Sequence, residues 1–142
     1  MQAVMTAEEM MEYLEEVFPQ VNNDFAIDHM DGTKTVMRLL TAERHLRPGG
    51  TVSGPSMFAL ADVCAYVATM ACIGKQALAV TTNCSLDFMR KPEAGKDLVA
   101  VATLLKLGKS LSVTDILIYS EGMEAPVARA SMTYSLPRAS GA

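Results

Sequence analysis

The segment 55–73 restricts the fold of this chain more than any other feature. It is rich in Ala, apolar on every side of a helical projection, and not interrupted by Gly or Pro after Pro55. Pro55 suits the first position of a helix, and Gly74 suits the cap after the last. A helix that is apolar on all sides must be covered on all sides. We therefore expect a central helix enclosed by the rest of the chain.

Strand-like segments stand on both sides of this helix in the sequence. Before it, the tight-turn pattern Asp31-Gly32 separates two short segments, 25–30 and 33–40. After it, short runs of turn-forming residues separate four more, at 77–88, 97–107, 111–120 and 127–136. We expect the last four to form an antiparallel meander, and the whole curved sheet to wrap around the helix.

A second helix is expected near the N-terminus. Thr6 and Glu9 form a capping-box pattern, and apolar residues then recur at helical spacing up to Pro19. Half of the 142 residues are hydrophobic, which is enough for one core. We expect a single α+β domain over 1–142, with the N-terminal helix at about 6–18 and the core at about 24–137.

Charge and cysteine content exclude several classes of protein. With 12 Lys and Arg against 16 Asp and Glu, the net charge is −4, and no basic run offers a footprint for nucleic acid. Three cysteines without C-x-x-C spacing predict neither a disulfide framework nor a zinc site, so no metal is expected. The acidic N-terminal region and an Asp inside the apolar segment favour a cytoplasmic protein with no membrane partner. A nearly continuous apolar run at 98–105 predicts self-association as a dimer or tetramer.

Asp62 is the most informative residue for chemistry. It stands about two helical turns past Pro55, too deep in the helix to be its N-cap. Burying an unpaired carboxylate costs several kcal/mol, so the position needs a reason. Two interpretations stay open: a structural Asp bonded to an N–H or a hydroxyl, or a general base or nucleophile that faces a cleft.

A glycine-rich stretch, 47–56, leads into the central helix. Glycines there let the polar end of a ligand approach free backbone N–H groups and the positive end of the helix dipole. A polarised carbonyl or an oxyanion would be stabilised at that place. A simple turn is the alternative, and the spacing matches no phosphate-binding loop.

Three stretches of the sequence match a known pattern when they are taken together. They are Gly50-x-x-Ser53-Gly54-Pro55-x-x-Phe58-x-Leu60-Ala61-Asp62, Leu86-Asp87-Phe88-Met89-Arg90-Lys91-Pro92 and Lys106-Leu107-Gly108-Lys109-Ser110. Over roughly 33–137 the chain resembles the hotdog-fold acyl-CoA thioesterases of the phenylacetate-degradation (PaaI-like) group. The resemblance implies a hotdog fold and hydrolysis of an acyl-CoA. It also implies that Asp62 acts as base or nucleophile, across a dimer interface from the loop and helix start that hold the carbonyl.

The chain departs from the family pattern at three positions. Arg47 replaces an Asn, Ser53 replaces a His, and Pro55 replaces the second Gly of a Gly-Gly pair. In the family that second Gly offers its N–H to the thioester oxygen, and proline has none to offer. The donor could instead be the Gly54 N–H, the Ser56 N–H or the Ser53 hydroxyl.

Coenzyme A carries phosphates, so an acidic protein must meet it with local positive charge. The candidates at strand ends and turns are Arg90, Lys91, Lys106 and Lys109, with Ser110 beside the last of them, and Arg47 in the loop before the helix could help to hold the acyl or CoA end. For each cation, an ordinary solvated side chain is the alternative. Other candidate contacts are His45 in the loop before Arg47, Asn83 for a pantetheine amide, and Phe58 in the wall of an acyl tunnel. No separate cofactor is expected, because coenzyme A would be part of the substrate.

The leading hypothesis is an acyl-CoA thioesterase in which Asp62 activates water and the N-terminus of the central helix polarises the carbonyl. A non-catalytic acyl-CoA-binding protein is the first alternative, favoured by Pro55 and by the missing His. The second is an enoyl-CoA hydratase or dehydratase. That chemistry needs a His paired with the Asp, and neither His29 nor His45 is convincingly placed for it.

Overall fold

The computed structural model of the chain describes residues 1–19, 23–76 and 78–137. In these ranges the chain forms two α-helices, six strands and a short 3-10 helix at Glu43–His45. The elements are α1 (Ala7–Val17), β1 (Phe25–Met30), β2 (Lys34–Leu39), α2 (Gly54–Ile73), β3 (Val80–Phe88), β4 (Leu98–Leu107), β5 (Leu111–Ser120) and β6 (Ala128–Ser135).

The six strands form one antiparallel sheet in the order β1-β2-β4-β5-β6-β3. Helix α2 lies against this curved sheet and contacts every strand. The hotdog arrangement that the resemblance implies is therefore confirmed. The largest fully buried side chains come from α1, α2 and the inner face of the sheet, so the core lies between helix and sheet.

The expected meander is wrong for β3. This strand pairs with β6 and not with β4, so the connection 89–97 crosses from one edge of the sheet to its centre. Turn-forming residues predict where the chain changes direction, but they do not select the strand that pairs next. As a result β3 is an edge strand.

Helix α1 begins at the predicted capping box. The Thr6 hydroxyl accepts from the Glu9 N–H at 3.1 Å, and the Glu9 carboxylate accepts from the Thr6 N–H at 3.0 Å. The apolar face of the helix then buries Met10, Tyr13 and Leu14 in the core. These contacts tie α1 to the same core that holds α2.

Helix α2 is not covered on all sides, contrary to expectation. By length and composition it could span a membrane, but here most of it is packed inside the sheet. One strip stays open: Pro55 is exposed, Phe58 is 38% exposed and Asp62 is half-buried. These residues recur at spacings of three and four, so they share one face of the helix. We call them the open strip of α2; it lies beside the edge strand β3.

Strand β4 has two apolar faces, as its sequence predicts. The face toward α2 is buried, whereas the opposite face is only partly covered within one chain. That outer face carries Val99, Val101, Thr103 and the exposed Leu105. Coverage of this face by another subunit stays a prediction.

Candidate active site

Asp62 lies in the open strip of α2 with two hydroxyl groups on one of its oxygens. The Thr81 Oγ1 donates to Asp62 Oδ1 at 2.6 Å, and the Tyr134 hydroxyl donates to the same oxygen at 2.8 Å. Thr81 of β3 and Tyr134 of β6 are paired across the sheet, so strand pairing brings both donors to the carboxylate. No hydrogen bond from the described residues reaches Oδ2. We call these three residues the Asp62 cluster.

No positively charged side chain among the described residues pairs with the Asp62 carboxylate. Burial, together with the charge of Asp62, raises the pKa of the Tyr134 phenol, so that hydroxyl stays a donor at physiological pH. Burial, with a smaller contribution from Asp62, also raises the pKa of the Cys84 thiol, which makes this cysteine a poor nucleophile.

The first turn of α2 presents one backbone N–H that is free. The Ser53 Oγ accepts from the Ser56 N–H at 3.3 Å, and the Ser53 carbonyl accepts from the Met57 N–H at 3.1 Å. Pro55 has no N–H. In the described part of the chain, the Gly54 N–H meets no acceptor. Of the backbone donors considered above, the Gly54 amide is therefore the one available to a ligand.

A cleft of about 440 Å³ opens at this helix start. It has three basic side chains in its wall and no acidic one. Exposed cations and a helix N-terminus both favour an anionic ligand. We call it the cationic cleft; its lining residues are Arg47, Thr51, Val52, Gly54, Met57, Phe88, Met89, Arg90, Lys91 and Pro92.

Two side chains shape the cleft beside Gly54. A Cβ at position 54 would lie 3.3 Å from the Phe88 ring, so the absence of a side chain lets this ring approach the helix start. The Arg90 guanidinium donates to the Pro126 carbonyl, which holds that cation at the rim. Arg47 and Lys91 form no ion pair with any residue that the structure describes.

His45 does not line the cleft. It is buried, its Nδ1 accepts from the Ala42 N–H at 2.9 Å, and its Nε2 lies 3.3 Å from the Asp24 carboxylate. Its carbonyl accepts from the Ser53 N–H at 2.8 Å. His45 therefore anchors the loop that leads into α2.

The remaining candidates lie elsewhere along the sheet. Ser135 pairs with both Leu111 and Val80, so the β4–β5 turn that carries Lys109 and Ser110 is near the start of β3. This is the end of β3 that holds the Asp62 cluster, whereas the cationic cleft is at the other end. The exposed Asn83 lies between the two ends on β3, and the exposed Lys106 lies near the end of β4.

One chain therefore holds two separate groups of candidate residues. Arg47, Gly54, Arg90 and Lys91 come together in the cleft. Gly54 and Asp62 are eight positions apart on one helix, which at about 1.5 Å per residue separates them by about 12 Å. A single chain does not bring Asp62 to the cleft.

Sequence reasoning missed Thr81 and Tyr134. Strand alternation alone could not place Thr81 toward the helix, because a register irregularity interrupts β3 between Thr81 and Asn83. The available signal was Asp62 itself, since a half-buried carboxylate requires donors from neighbouring elements. The residues that the structure describes contain no group of three side chains able to hold a metal ion.

Comparison with known proteins identifies the family. The sequence profile of the thioesterase superfamily matches residues 49–127, more than half of the chain. The crystal structure of a protein from Silicibacter sp. TM1040, assigned as a thioesterase, is 62% identical over 96% of this chain and 95% of that one, with a TM-score of 0.91. The chain therefore belongs to the thioesterase superfamily.

Two more distant structures share the fold. An asparagine-to-aspartate mutant of the phenylacetic acid degradation protein PaaI from Thermus thermophilus is 25% identical, over 84% of this chain and 99% of that one, with a TM-score of 0.72. A hypothetical thioesterase from Streptococcus pneumoniae, solved with coenzyme A, is 18% identical, over 91% of this chain and 99% of that one, with a TM-score of 0.77. No curated protein matches the chain by sequence.

Proposed function

We propose that this protein is an acyl-CoA thioesterase that hydrolyses its substrate to a free acid and coenzyme A. Asp62 takes a proton from a water molecule, whose oxygen attacks the thioester carbon, and the Gly54 N–H stabilises the oxyanion. The C–S bond then breaks, and the thiolate of coenzyme A leaves and takes up a proton. The observation that carries this proposal is the Asp62 carboxylate, which is held at Oδ1 and free at Oδ2.

The cationic cleft supports coenzyme A as the substrate's larger part. Arg47, Arg90 and Lys91 supply positive charge for phosphates, while Phe88 and Met89 supply apolar surface. A relative with the same fold has been solved with coenzyme A, which is consistent with this assignment. Asn83 and Phe58 lie between the cleft and the Asp62 cluster, where pantetheine or the acyl chain would pass.

The proposed reaction requires two subunits. A thioester carbon must lie about 3 Å from both the attacking water and the oxyanion donor. Within one chain the two groups are too far apart. We propose a homodimer in which two copies of β3 pair antiparallel about a two-fold axis. Asp62 of the partner subunit then meets the cleft at Phe88, and so do Lys109 and Ser110 of the partner subunit.

Two properties of β3 and its neighbourhood support this dimer. The strand pairs with β6 on one side, and no other described strand occupies its second side. An unpaired strand edge readily accepts another strand. Its neighbourhood also exposes apolar side chains, with Leu78 80% and Val80 57% exposed. The partly covered outer face of β4 is the surface through which two such dimers would form a tetramer.

The wider setting of the protein is also part of the proposal. We place it in the cytoplasm as a single domain over 1–142, acting without a separate cofactor, a metal, nucleic acid or a membrane. Ser53 supports the helix start, because its hydroxyl donates to the Ser56 Oγ at 3.0 Å and accepts from the Ser56 N–H. The Ser56 hydroxyl, which has no acceptor among the described contacts, is a secondary donor to the substrate.

Thiol release from a panel of short, long and aromatic acyl-CoAs tests the proposed function. We expect wild-type protein to release thiol and Asp62→Asn to lose about 10²–10⁴-fold in rate, because a general base contributes that much. Asp28→Asn is the matched control, since Asp28 is exposed, is paired with Arg38 and lies on β1 at the opposite edge of the sheet. An unimpaired Asp62→Asn, with unchanged thermal unfolding, would contradict the role of Asp62.

The same panel separates the alternatives. Pro55, which removes one donor from the helix start, favours a non-catalytic acyl-CoA-binding protein as the second candidate. That candidate predicts binding of CoA esters with no thiol release above the uncatalysed background. Hydration of an enoyl-CoA would instead indicate a hydratase.

A further inference from the structure

The Tyr134 hydroxyl donates a hydrogen bond to Asp62, and the family resemblance assigns no function to this contact. We propose that Tyr134 is a positioning residue, whose hydroxyl holds one oxygen of Asp62 so that the other faces the attacking water. This inference rests on the proposed function, because it assumes that Asp62 is the reacting group.

The geometry makes Tyr134 a rigid donor. The side chain is 5% exposed, and its ring lies 5.9 Å from the Tyr66 ring between centroids. Its strand, β6, is paired on both sides, with β5 and β3. A tyrosine has few rotatable bonds, so packing on an internal strand leaves its hydroxyl little freedom.

The Tyr134 hydroxyl has two nearby acceptors. Its oxygen lies 2.8 Å from Asp62 Oδ1 and 3.1 Å from the Asp62 main-chain carbonyl oxygen. The contact with Oδ1 is the shorter, so the hydroxyl donates its hydrogen bond to the carboxylate. Thr81 approaches the same oxygen from the edge strand. Because two donors converge on the same oxygen, they restrict the rotation of the Asp62 carboxylate.

A fixed carboxylate matters because proton transfer depends on orientation. A base must direct a lone pair at the proton that it removes, and a misplacement of about 1 Å can cost about 10²-fold in rate. The other titratable groups around Asp62 are Cys84 on β3 and Tyr66 on α2, and neither donates to the carboxylate among the described contacts. The hydroxyls of Tyr134 and Thr81 therefore hold the Asp62 carboxylate in its orientation.

Tyr134→Phe tests the inference because it removes the hydroxyl and keeps the ring. We expect kcat to fall about tenfold while KM stays within about twofold, since Tyr134 orients the base and does not bind substrate.

Tyr66→Phe is the matched control. Its ring packs against the Tyr134 ring, but its hydroxyl donates to the Tyr13 hydroxyl at 3.2 Å and not to Asp62. Removing that hydroxyl is expected to lower thermal stability without changing kcat. If Tyr134→Phe behaves like Tyr66→Phe in kcat, the inference is overturned.

Variants at Thr81 provide a second measurement. Thr81→Val removes the other donor and is expected to lower kcat with little change in KM, whereas Thr81→Ser keeps a hydroxyl and is expected to recover most of that loss. A wild-type kcat in both Thr81→Val and Tyr134→Phe would contradict the proposed orientation of Asp62.

A crystal structure of Tyr134→Phe separates this inference from the proposed function. We expect the Asp62 side chain to occupy more than one rotamer in the variant and one in the wild type. A single, unmoved rotamer in the variant overturns the inference, whatever the activity. A wild-type protein that releases no thiol from any acyl-CoA overturns the proposed function, even if Asp62 loses its single rotamer in the variant.

Discussion

The two ends of β3 differ in charge and exposure, although both lie against α2. At the Phe88 end, the cationic cleft offers exposed basic side chains and a free backbone N–H. At the Val80 end, Asp62 is half-buried and held by hydroxyls from two paired strands. One end suits the binding of an anionic ligand and the other suits proton transfer. In the proposed dimer, these two ends of one chain are half-sites that belong to two different composite sites.

These half-sites are expected to respond differently to solution conditions. Exposed charges are screened by salt, so binding in the cleft weakens as ionic strength rises. The hydrogen bonds at Asp62 involve no cation and are protected from solvent on one side, so salt affects them less. KM and kcat should therefore report on the two ends of β3 separately.

Subunit complementation is the strongest test of this difference. Asp62→Asn and a double variant, Arg47→Glu with Lys91→Glu, each damage one half-site. Refolding the two together gives random pairs in which about a quarter of the composite sites have both halves intact. We expect thiol release to rise about 10²-fold above that of Asp62→Asn alone. An activity equal to the sum of the separate variants would mean that each site lies within one chain.

Disruption of the β3 edge is expected to have the next largest effect. A double variant, Leu78→Lys with Val80→Lys, places charge along the proposed dimer edge, because both side chains are exposed in one chain. The protein should become monomeric and lose about 10²-fold in activity, as measured by light scattering and thiol release. Leu105→Lys, on the outer face of β4, is the control and should keep an active dimer. A fully active monomer would remove the need for two subunits.

Charge reversal in the cleft should have a smaller effect. Lys91→Glu is expected to raise KM for acyl-CoA about tenfold with little change in kcat, because attraction to phosphate is lost. The KM of the variant should also depend less on salt than that of the wild type. Lys96→Glu is the matched control, since Lys96 is exposed and does not line the cleft. Equal changes in both variants would indicate a general effect of net charge.

Removal of the α2 cap is expected to have the smallest effect. Ser53→Ala loses the acceptor for the Ser56 N–H and should lower the free energy of unfolding by about 1 kcal/mol. Ser53→Asp restores a capping oxygen and should recover most of that stability in chemical denaturation. A loss of activity in Ser53→Ala far beyond the loss of stability would show that the hydroxyl contacts substrate.

Local features of the fold were predictable because neighbouring residues decide them. The Asp31-Gly32 turn forms as expected, with the Asp31 carboxylate accepting the Thr33 and Lys34 N–H groups at 2.9 and 2.8 Å and Gly32 at a φ of 91°. The capping box and the limits of α2 follow the same logic. In the candidate site, Asp62 was recognisable because a charged residue interrupts an apolar helix.

Patterns along the chain were enough to predict the two helices, the six strands and the central position of α2. The pairing of β3 with β6 was not predictable from those patterns and is known from the folded chain. That pairing leaves β3 at an edge, opens one strip of α2 and brings Thr81 and Tyr134 to Asp62. The difference comes from the range of the interactions. Helix caps, turns and periodicity depend on residues a few positions apart, whereas strand order and the partners of a carboxylate depend on contacts between residues distant in the chain.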